Sequence, residues 1–137
     1  RKLIAATDAL PATRQRVSPV FALYLPDGER QELSLLFVEY LLRKRGFLTL
    51  YLGGDVSVSD LVDVVNCTRV DYLFTIFSNA FVHEPVDRHV ANVLKGCPKQ
   101  TLLLSGYQAT IHDFADEARI RVVNGLEDML TFVDTLK

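Results

Sequence analysis

Short apolar runs alternate along the chain with segments of helical periodicity. Residues 20–25 form the first run, which stops at Pro26-Asp27-Gly28 and is typical of a buried strand followed by a turn. From Glu29 the apolar positions recur with the period of a helix, and Gly46 supplies a left-handed stop. The positions that share one apolar face of this predicted helix are Leu33, Leu36, Phe37, Tyr40 and Leu41.

The ends of this predicted helix carry charges that suit its dipole. Glu29 and Glu32 lie in what should be the first turn, and the basic residues 43–45 lie in the last. Carboxylates are favourable near the amino end of a helix, and cations are favourable near its carboxyl end. The charge pattern therefore predicts a helix that begins at about Glu29 and ends before Gly46.

The strand-and-helix unit is repeated four more times. The further strands are predicted at residues 48–52, 72–77, 101–104 and 120–123. The further helices are predicted from a cap at Ser57 or Ser59, over about 85–96, over about 112–118 and over about 126–136. Five strands that are apolar throughout indicate a parallel sheet that is buried on both faces.

Right-handed crossovers favour one arrangement of these units. The expected fold class is α/β: a flavodoxin-like, doubly wound sheet of five parallel strands in the order 2-1-3-4-5, with helices on both faces. In such folds a ligand lies outside the carboxyl ends of the strands, at the switch point between strands 1 and 3. The loops there are 26–31, 78–84 and 105–109, so we expect any function to depend on them.

Length and composition fit one globular domain. The chain has 137 residues and a net charge of −2, which gives no support for contact with DNA or a membrane. No apolar run reaches the ~20 residues of a membrane span, and two cysteines suggest reduced thiols in the cytoplasm. Residues 1–18 are predicted to be a linker or the end of an upstream helix, and residues 19–137 the domain. Because the chain begins at Arg1 rather than Met, we expect a piece of a longer protein.

Several familiar catalytic and phosphate-binding motifs are absent from the sequence. It contains no Walker or dinucleotide-binding glycine loop and no Gly-x-Ser-x-Gly elbow. A phospho-receiver domain needs an aspartate after strand 3 and a lysine after strand 5, where Ser78 and Asn124 stand. A flavodoxin-type carrier needs a phosphate loop after strand 1, where this chain is acidic. Apart from the adjacent His83-Glu84, the histidines His83, His89 and His112 lack partners at ligand spacing, so we expect surface or half-buried histidines and no metal site.

A resemblance to a known family is carried by three runs of the sequence, LPDGERQELSLLF (25–37), YLLRKRG (40–46) and YLG (51–53). They look like the cobalamin-binding domain of MerR-type transcription regulators. These proteins are relatives of the light-sensing, adenosylcobalamin-dependent repressors of carotenoid genes. The resemblance runs from about Val20 to the carboxyl terminus, and its most specific part is the first loop and helix.

The resemblance implies a set of cofactor-binding positions. In the family, a first motif Asp/Glu-x-His-x-x-Gly carries the lower ligand of cobalt, and Ser-x-Leu/Val and Gly-Gly motifs follow at set distances. The matching positions, in motif order, are Glu29, Gln31 and Ser34, then Thr75 and Phe77, then Ser105 and Gly106. Gln31 therefore stands in place of the cobalt-ligating histidine, and Ser34 and Ser105 stand in place of glycines.

These departures bear on the cofactor, which in the family is adenosylcobalamin or methylcobalamin. A neutral imidazole is a good ligand for a transition metal, whereas a primary amide is a poor one. With Gln31 in place, Glu29 has no imidazole to orient. Ser34 and Ser105 add side chains where a bulky ligand tail would approach the backbone. We therefore expect a narrowed tail channel and no tight binding of cobalamin, unless the cofactor keeps its own base as the lower ligand.

The predicted function is that of a C-terminal regulatory domain of a MerR-type regulator, serving as a sensor or an oligomerisation module. The resemblance implies a cytoplasmic homo-oligomer that contacts DNA only through an upstream helix-turn-helix. We expect no enzymatic activity and no membrane contact. The alternative is the cobalamin-carrying domain of a B12-dependent methyltransferase or mutase. Gln31 counts against this alternative, because such chemistry needs the cobalt ligand.

Overall fold

The computed structural model describes residues 19–26, 28–78, 85–106, 119–123 and 125–136. Its strands are β1 (Val20–Tyr24), β2 (Leu48–Gly53), β3 (Tyr72–Ile76), β4 (Thr101–Ser105) and β5 (Ile120–Val122). Its helices in these ranges are α1 (Glu32–Lys44), α2 (Val58–Cys67), α3 (Val86–Gly96) and α4 (Gly125–Asp134). The predicted helix at 112–118, the lead-in at 1–18, His83 and His112 lie outside the described residues. None of the helices in these ranges combines the length and apolar character that crossing a membrane requires.

The strands form one parallel sheet in the order β2-β1-β3-β4-β5, which confirms the predicted flavodoxin-like arrangement. Leu35 of α1 and Met129 of α4 belong to the hydrophobic cluster on one face of the sheet. Leu61 of α2 and Val90 of α3 belong to the cluster on the other face. Because the strands are parallel, the carboxyl ends of β1, β3 and β4 lie at one edge of the sheet.

The first helix begins three residues later than the sequence predicts. Gln31 is the N-cap residue and Glu32 is the first helical residue, while Arg43 and Lys44 lie in the last turn as expected. Glu29 lies in the loop before the helix, where its side chain is buried. The prediction that Glu29 belongs to the first helical turn is therefore wrong, because its carboxylate is used to join two loops.

The apolar face that periodicity finds on α1 points to solvent rather than to the sheet. The exposed large side chains are Leu33, Leu36, Phe37 and Tyr40, at 80%, 43%, 50% and 55% of their full surface. The side of α1 that packs against the sheet carries Leu35, Glu39 and Leu42. The helix therefore has a second, narrower apolar face, and it is this narrower face that enters the core.

A capping box holds the amino end of α2. The Ser57 hydroxyl accepts a hydrogen bond from the backbone N–H of Asp60 at 3.1 Å, and the Asp60 carboxylate accepts one from the Ser57 N–H at 3.1 Å. Together these bonds satisfy two amide groups that have no partner within the helix. The choice that the sequence leaves open is thereby settled, since Ser57 is the cap and Ser59 is not.

Arg119 closes the carboxyl end of α3. Its guanidinium donates hydrogen bonds to the backbone carbonyl oxygens of Leu94, Cys97 and Gln100, at 2.8, 2.7 and 3.1 Å. The last carbonyls of a helix have no partner within it, and a cation is favourable there. Burial raises the pKa of the Cys97 thiol, and Arg119 offsets this only in part. Cys97 is thus a buried free thiol, whereas the free thiol of Cys67 is exposed.

Candidate functional site

A cavity of about 440 Å³ lies at the carboxyl edge of the sheet, between α1 and α4. This volume is within the range of small-ligand sites. Its apolar lining consists of Phe37, Val38, Phe74, Ile76 and Met129. The rest of its lining consists of Gln31, Ser34, Ser78, Ser105, Gly106 and Gly125. The cavity thus lies in the region of the strand-end loops in which the sequence places a ligand.

Gln31 and Ser34 face the cavity from the start of α1. The Ser34 hydroxyl donates a hydrogen bond to the amide oxygen of Gln31 at 3.2 Å. Ser34 and Ser105, which the resemblance places at glycine positions of the family, both line the cavity without closing it. An open space of this size remains although both positions carry a side chain.

Glu29 joins the loop after β1 to the end of β3. Its carboxylate accepts hydrogen bonds from the backbone N–H of Ser78 at 2.9 Å and from the Ser78 hydroxyl at 2.8 Å. It also accepts one from the backbone N–H of Arg30 at 3.0 Å. The Glu29 side chain is buried and does not line the cavity. It therefore acts as a positioning residue, which holds together the two loops at the switch point of the sheet.

Thr75 and Phe77 lie on the opposite face of the sheet from the cavity. Successive side chains of a strand alternate between faces, and it is Phe74 and Ile76 that line the cavity. Thr75 is fully buried, and Phe77 belongs to the cluster beneath α2 and α3. The motif placed at Thr75 and Phe77 by the resemblance therefore does not bring these side chains to the cavity, because the residues of β3 that reach it are displaced by one position.

A substitution at Thr75 tests whether its hydroxyl is buried without a hydrogen-bond partner. Its hydroxyl oxygen is buried and has no hydrogen-bond partner among the residues that the structure describes. Because an unpaired buried hydroxyl is costly, we expect Thr75→Val to raise the free energy of unfolding by about 1 kcal/mol. Urea unfolding followed by circular dichroism measures this change. A loss of stability in the valine variant would contradict the assignment, since it would mean that the hydroxyl has a partner.

Gly106 is required by the packing of the chain where β3 and β4 end. Its φ of +97° is a conformation that side chains rarely adopt, and a Cβ there would lie 2.5 Å from the carbonyl oxygen of Phe77. The neighbouring Ser105 carbonyl accepts a hydrogen bond from the Phe77 N–H at 2.8 Å. Gly106 thus has a structural role that does not depend on a ligand.

His89 is a core residue, and the expectation of a surface or half-buried histidine is wrong for it. Its side chain is buried, and its Nε2 lies 3.0 Å from the hydroxyl of Tyr24. Its ring also packs edge-on against Phe77, with 5.5 Å between the ring centroids. Among the residues described, no group of three His, Cys, Asp or Glu side chains could hold a metal ion.

The Glu32 carboxylate, at the amino end of α1, lies beside Tyr51 of β2. The Tyr51 hydroxyl donates a hydrogen bond to the Glu32 carboxylate at 3.3 Å. Burial, the charge and hydrogen bond of Glu32, and the charge of Glu39 together raise the pKa of Tyr51 to about 12. Tyr51 is therefore protonated at neutral pH and acts as a donor to Glu32. Neither Tyr51 nor Glu32 lines the cavity.

The described residues that line the cavity do not fit a cobalt ion held by a protein side chain. Gln31 offers only an amide, which is a weak ligand, and its oxygen already accepts a hydrogen bond from Ser34. Glu29 is bound to Ser78, so it is not available to orient a ligand at position 31. The five apolar lining side chains do suit a largely apolar group. The described lining is suited to binding by burial of apolar surface rather than by metal coordination.

Comparison with known proteins supports the fold. No protein-family profile matches the chain, and no curated protein sequence matches it. A cobalamin-binding protein from Desulfitobacterium hafniense DCB-2 has a similar structure, with a TM-score of 0.67 at 17% sequence identity. The alignment covers 98% of this chain and 66% of that one, so this chain spans just under two thirds of its length. At this identity the likeness establishes a shared fold: the chain has the flavodoxin-like fold of a cobalamin-binding protein.

Four of the seven positions implied by the resemblance meet at the cavity, namely Gln31, Ser34, Ser105 and Gly106. The other three, Glu29, Thr75 and Phe77, do not line it. Cofactor binding by any of the seven stays a prediction. The motifs miss Ser78 and Met129, two further lining residues. Ser78 belongs to the strand-end loop 78–84 on which the sequence already predicts that function depends, whereas nothing in the sequence marks Met129, because α4 reaches the cavity only through the fold.

Proposed function

We propose that this chain is the regulatory domain of a MerR-type transcription regulator, with a cobalamin-binding-like fold that does not coordinate cobalt. In this proposal it serves as a sensor and oligomerisation module and has no catalytic activity. The observation that carries the proposal is the cavity at the switch point, which has Gln31 in its lining while Glu29 is bound to Ser78. The cavity is formed and open, and none of the described residues that line it supplies an imidazole.

This arrangement favours a regulator over the cobalamin-carrying domain of an enzyme. Methyl transfer and radical formation take place at cobalt and depend on its lower ligand, whereas a regulator needs only a difference in binding between two states. Gln31 is a poor substitute for that ligand. We therefore treat the methyltransferase or mutase domain as the less supported candidate.

The cavity limits how cobalamin could bind. If the nucleotide base of cobalamin enters the cavity, that base is no longer bound to cobalt, and Gln31 is too weak a ligand to replace it. If the base stays on cobalt, it does not enter the cavity, and the contacts that the apolar lining would make with it are not formed. Either way, cobalamin loses one interaction that a histidine would preserve. We therefore expect weak binding, and this is the physical reason for a cobalamin-binding-like domain that does not hold its cofactor tightly.

A ligand in the cavity would act by bridging two helices. Residues of α1, of the β3 and β4 strand ends and of α4 all contribute to its lining. A ligand that binds one arrangement of these elements better than another shifts their populations by its difference in affinity, and by no more. In the whole regulator, such a shift would reach DNA through self-association and an upstream helix-turn-helix in the cytoplasm.

The variant Gln31→His tests the missing ligand directly. We expect it to bind hydroxocobalamin at least about tenfold more tightly than the unaltered chain, because imidazole is the better ligand for cobalt. Visible absorption spectra recorded in the dark, over a range of protein concentrations, give both the affinity and the ligand on cobalt. The variant should show a histidine-ligated spectrum that the unaltered chain does not show.

Two controls make this result specific. Gln31→Leu removes the amide without adding a ligand, so it should bind no better than the unaltered chain. Cobinamide, which lacks the nucleotide base, separates binding through the cavity from binding through the corrin ring. If the unaltered chain binds hydroxocobalamin as tightly as Gln31→His does, the proposed loss of the cofactor is wrong.

The coding sequence upstream of Arg1 tests the regulator itself: a helix-turn-helix supports it, and a catalytic barrel would overturn it.

A further inference from the structure

We propose that the outer face of α1 is a self-association surface, on which α1 of a second copy of this chain packs antiparallel. The face consists of Leu33, Leu36, Phe37 and Tyr40, here called the α1 stripe, which are the large hydrophobic side chains that the described structure leaves exposed. Their spacing of three and four residues places them in one row along the helix. A row of exposed apolar side chains of this kind marks an interaction site.

The area of the α1 stripe fits a weak, reversible dimer. With ~200 Å² for each full side chain, the exposed fractions amount to roughly 450 Å² in each copy. Two copies would then bury about 900 Å², close to the ~1,000 Å² at which specific interfaces begin. Lys44 lengthens the stripe, since its Nζ lies 5.6 Å from the centre of the Tyr40 ring. An interface of this size can form and separate as conditions change.

The charges beside the α1 stripe favour a second copy of this chain as the partner. Glu32 is exposed at the amino end of α1, and Arg43 is exposed at its carboxyl end. They are eleven residues apart, which is about three turns of a helix, so they lie on the same flank of the stripe. Neither of them forms an ion pair within the described residues, where the two ion pairs are Arg45–Asp134 and Arg69–Asp71.

An antiparallel arrangement pairs these charges twice. A two-fold axis near the middle of α1 places Glu32 of each copy opposite Arg43 of the other, and it places the two apolar rows face to face. A parallel arrangement would instead place the charged flanks of the two helices on opposite sides of the interface, so neither ion pair would form. The surface is therefore complementary to itself. For this reason a second copy is a better occupant than a partner of unrelated sequence.

This inference rests on the oligomerisation half of the proposed function and not on the ligand half. The α1 stripe and the cavity share Phe37, which is half exposed and also lines the cavity. Tests of the surface should therefore use Leu33 and Leu36, neither of which lines the cavity. Both are exposed, so polar substitutions at these positions should leave the core intact.

Sedimentation velocity over a wide range of protein concentrations, without ligand, tests the surface. We expect a reversible dimer of the unaltered chain, and a dissociation constant at least ~100-fold higher for the double variant Leu33→Glu, Leu36→Glu, since each change occurs in both copies. Asp63→Lys, an exposed charge reversal on α2, is the matched control and should leave the dimer unchanged. Circular dichroism checks that each variant is folded.

Charge reversal tests the antiparallel pairing itself. Glu32→Lys alone and Arg43→Glu alone should each weaken the dimer about tenfold or more, and the double reversal should restore it. Rescue by the double reversal would support the proposed geometry. If the dimer forms but is insensitive to all of these variants, the surface is wrong and oligomerisation stands. If the unaltered chain is a monomer at every concentration, both the surface and the oligomerisation half of the proposed function are overturned.

Discussion

Replacing Gly106 with alanine should lower the free energy of unfolding by about 3 kcal/mol or more, or should prevent folding. Two separate costs combine at this position. The φ of +97° is strained for any residue with a Cβ. The new methyl group would also lie 2.5 Å from the carbonyl oxygen and 2.8 Å from the carbonyl carbon of Phe77, which are backbone atoms held by the sheet. The strands β3 and β4 would have to separate at the edge that forms the cavity.

Alanine substitutions at two other glycines, measured by urea unfolding, separate the cost of backbone strain from the cost of the contact with Phe77. Gly46 has a φ of +91° but open space around it, so Gly46→Ala should cost only the strain, about 1 kcal/mol. Gly54 has open space and no positive φ, so Gly54→Ala should change the free energy of unfolding by less than about 0.5 kcal/mol. If Gly106→Ala is no worse than Gly46→Ala, the contact with Phe77 is relieved without cost, and Gly106 is not fixed by packing.

The sheet could be predicted from the sequence because its strands are apolar throughout. A central parallel strand is buried on both faces, and residues 21–24 are fully buried in the structure. The order of the strands then follows from the handedness of the crossovers. Two helix ends could also be predicted in part, since Gly46 has the expected left-handed φ and Ser57 is one of the two serines expected as the cap of α2.

The orientation of α1 could not be predicted in the same way. Periodicity identifies the helix but cannot choose between two apolar faces on it. The wider face, which contains Leu33 and Tyr40, is exposed, while the narrower face with Leu35 and Leu42 is buried. The narrower face also buries Glu39, whose carboxylate accepts a hydrogen bond from the Thr49 hydroxyl at 3.4 Å. A buried carboxylate is counted as polar in any sequence pattern, so this face is overlooked.

The candidate site was predictable in position but only partly in its residues. Loops at strand ends follow from topology, and they include Gln31 and Ser105. The register within β3 does not follow, because a shift by one residue moves a side chain to the other face of the sheet. The resemblance therefore placed Thr75 at the cofactor site, whereas it is Phe74 and Ile76 that line the cavity. The role of Glu29 also depends on a contact with a residue 49 positions away, which no local pattern records.

Glu29→Ala should lower the free energy of unfolding by about 2–3 kcal/mol, because it removes a buried carboxylate that accepts three hydrogen bonds. The backbone N–H of Ser78 would lose this acceptor, and the loops after β1 and β3 would lose this link between them. Because Ser78 lines the cavity, we also expect weaker binding of any ligand there, including hydroxocobalamin in the Gln31→His background. Urea unfolding and the absorption titration measure the two effects separately.

A double-mutant cycle with Ser78→Ala shows whether these losses come from the Glu29–Ser78 contact. Ser78→Ala removes the 2.8 Å hydroxyl bond to Glu29, so the two changes together should cost less than the sum of their separate effects, by about 1 kcal/mol. Asp63→Ala removes an exposed carboxylate from α2 and should change the free energy of unfolding by less than about 0.5 kcal/mol. If the effects of Glu29→Ala and Ser78→Ala are additive, Glu29 stabilises the loop through other contacts, and its assignment as the link across the switch point is wrong.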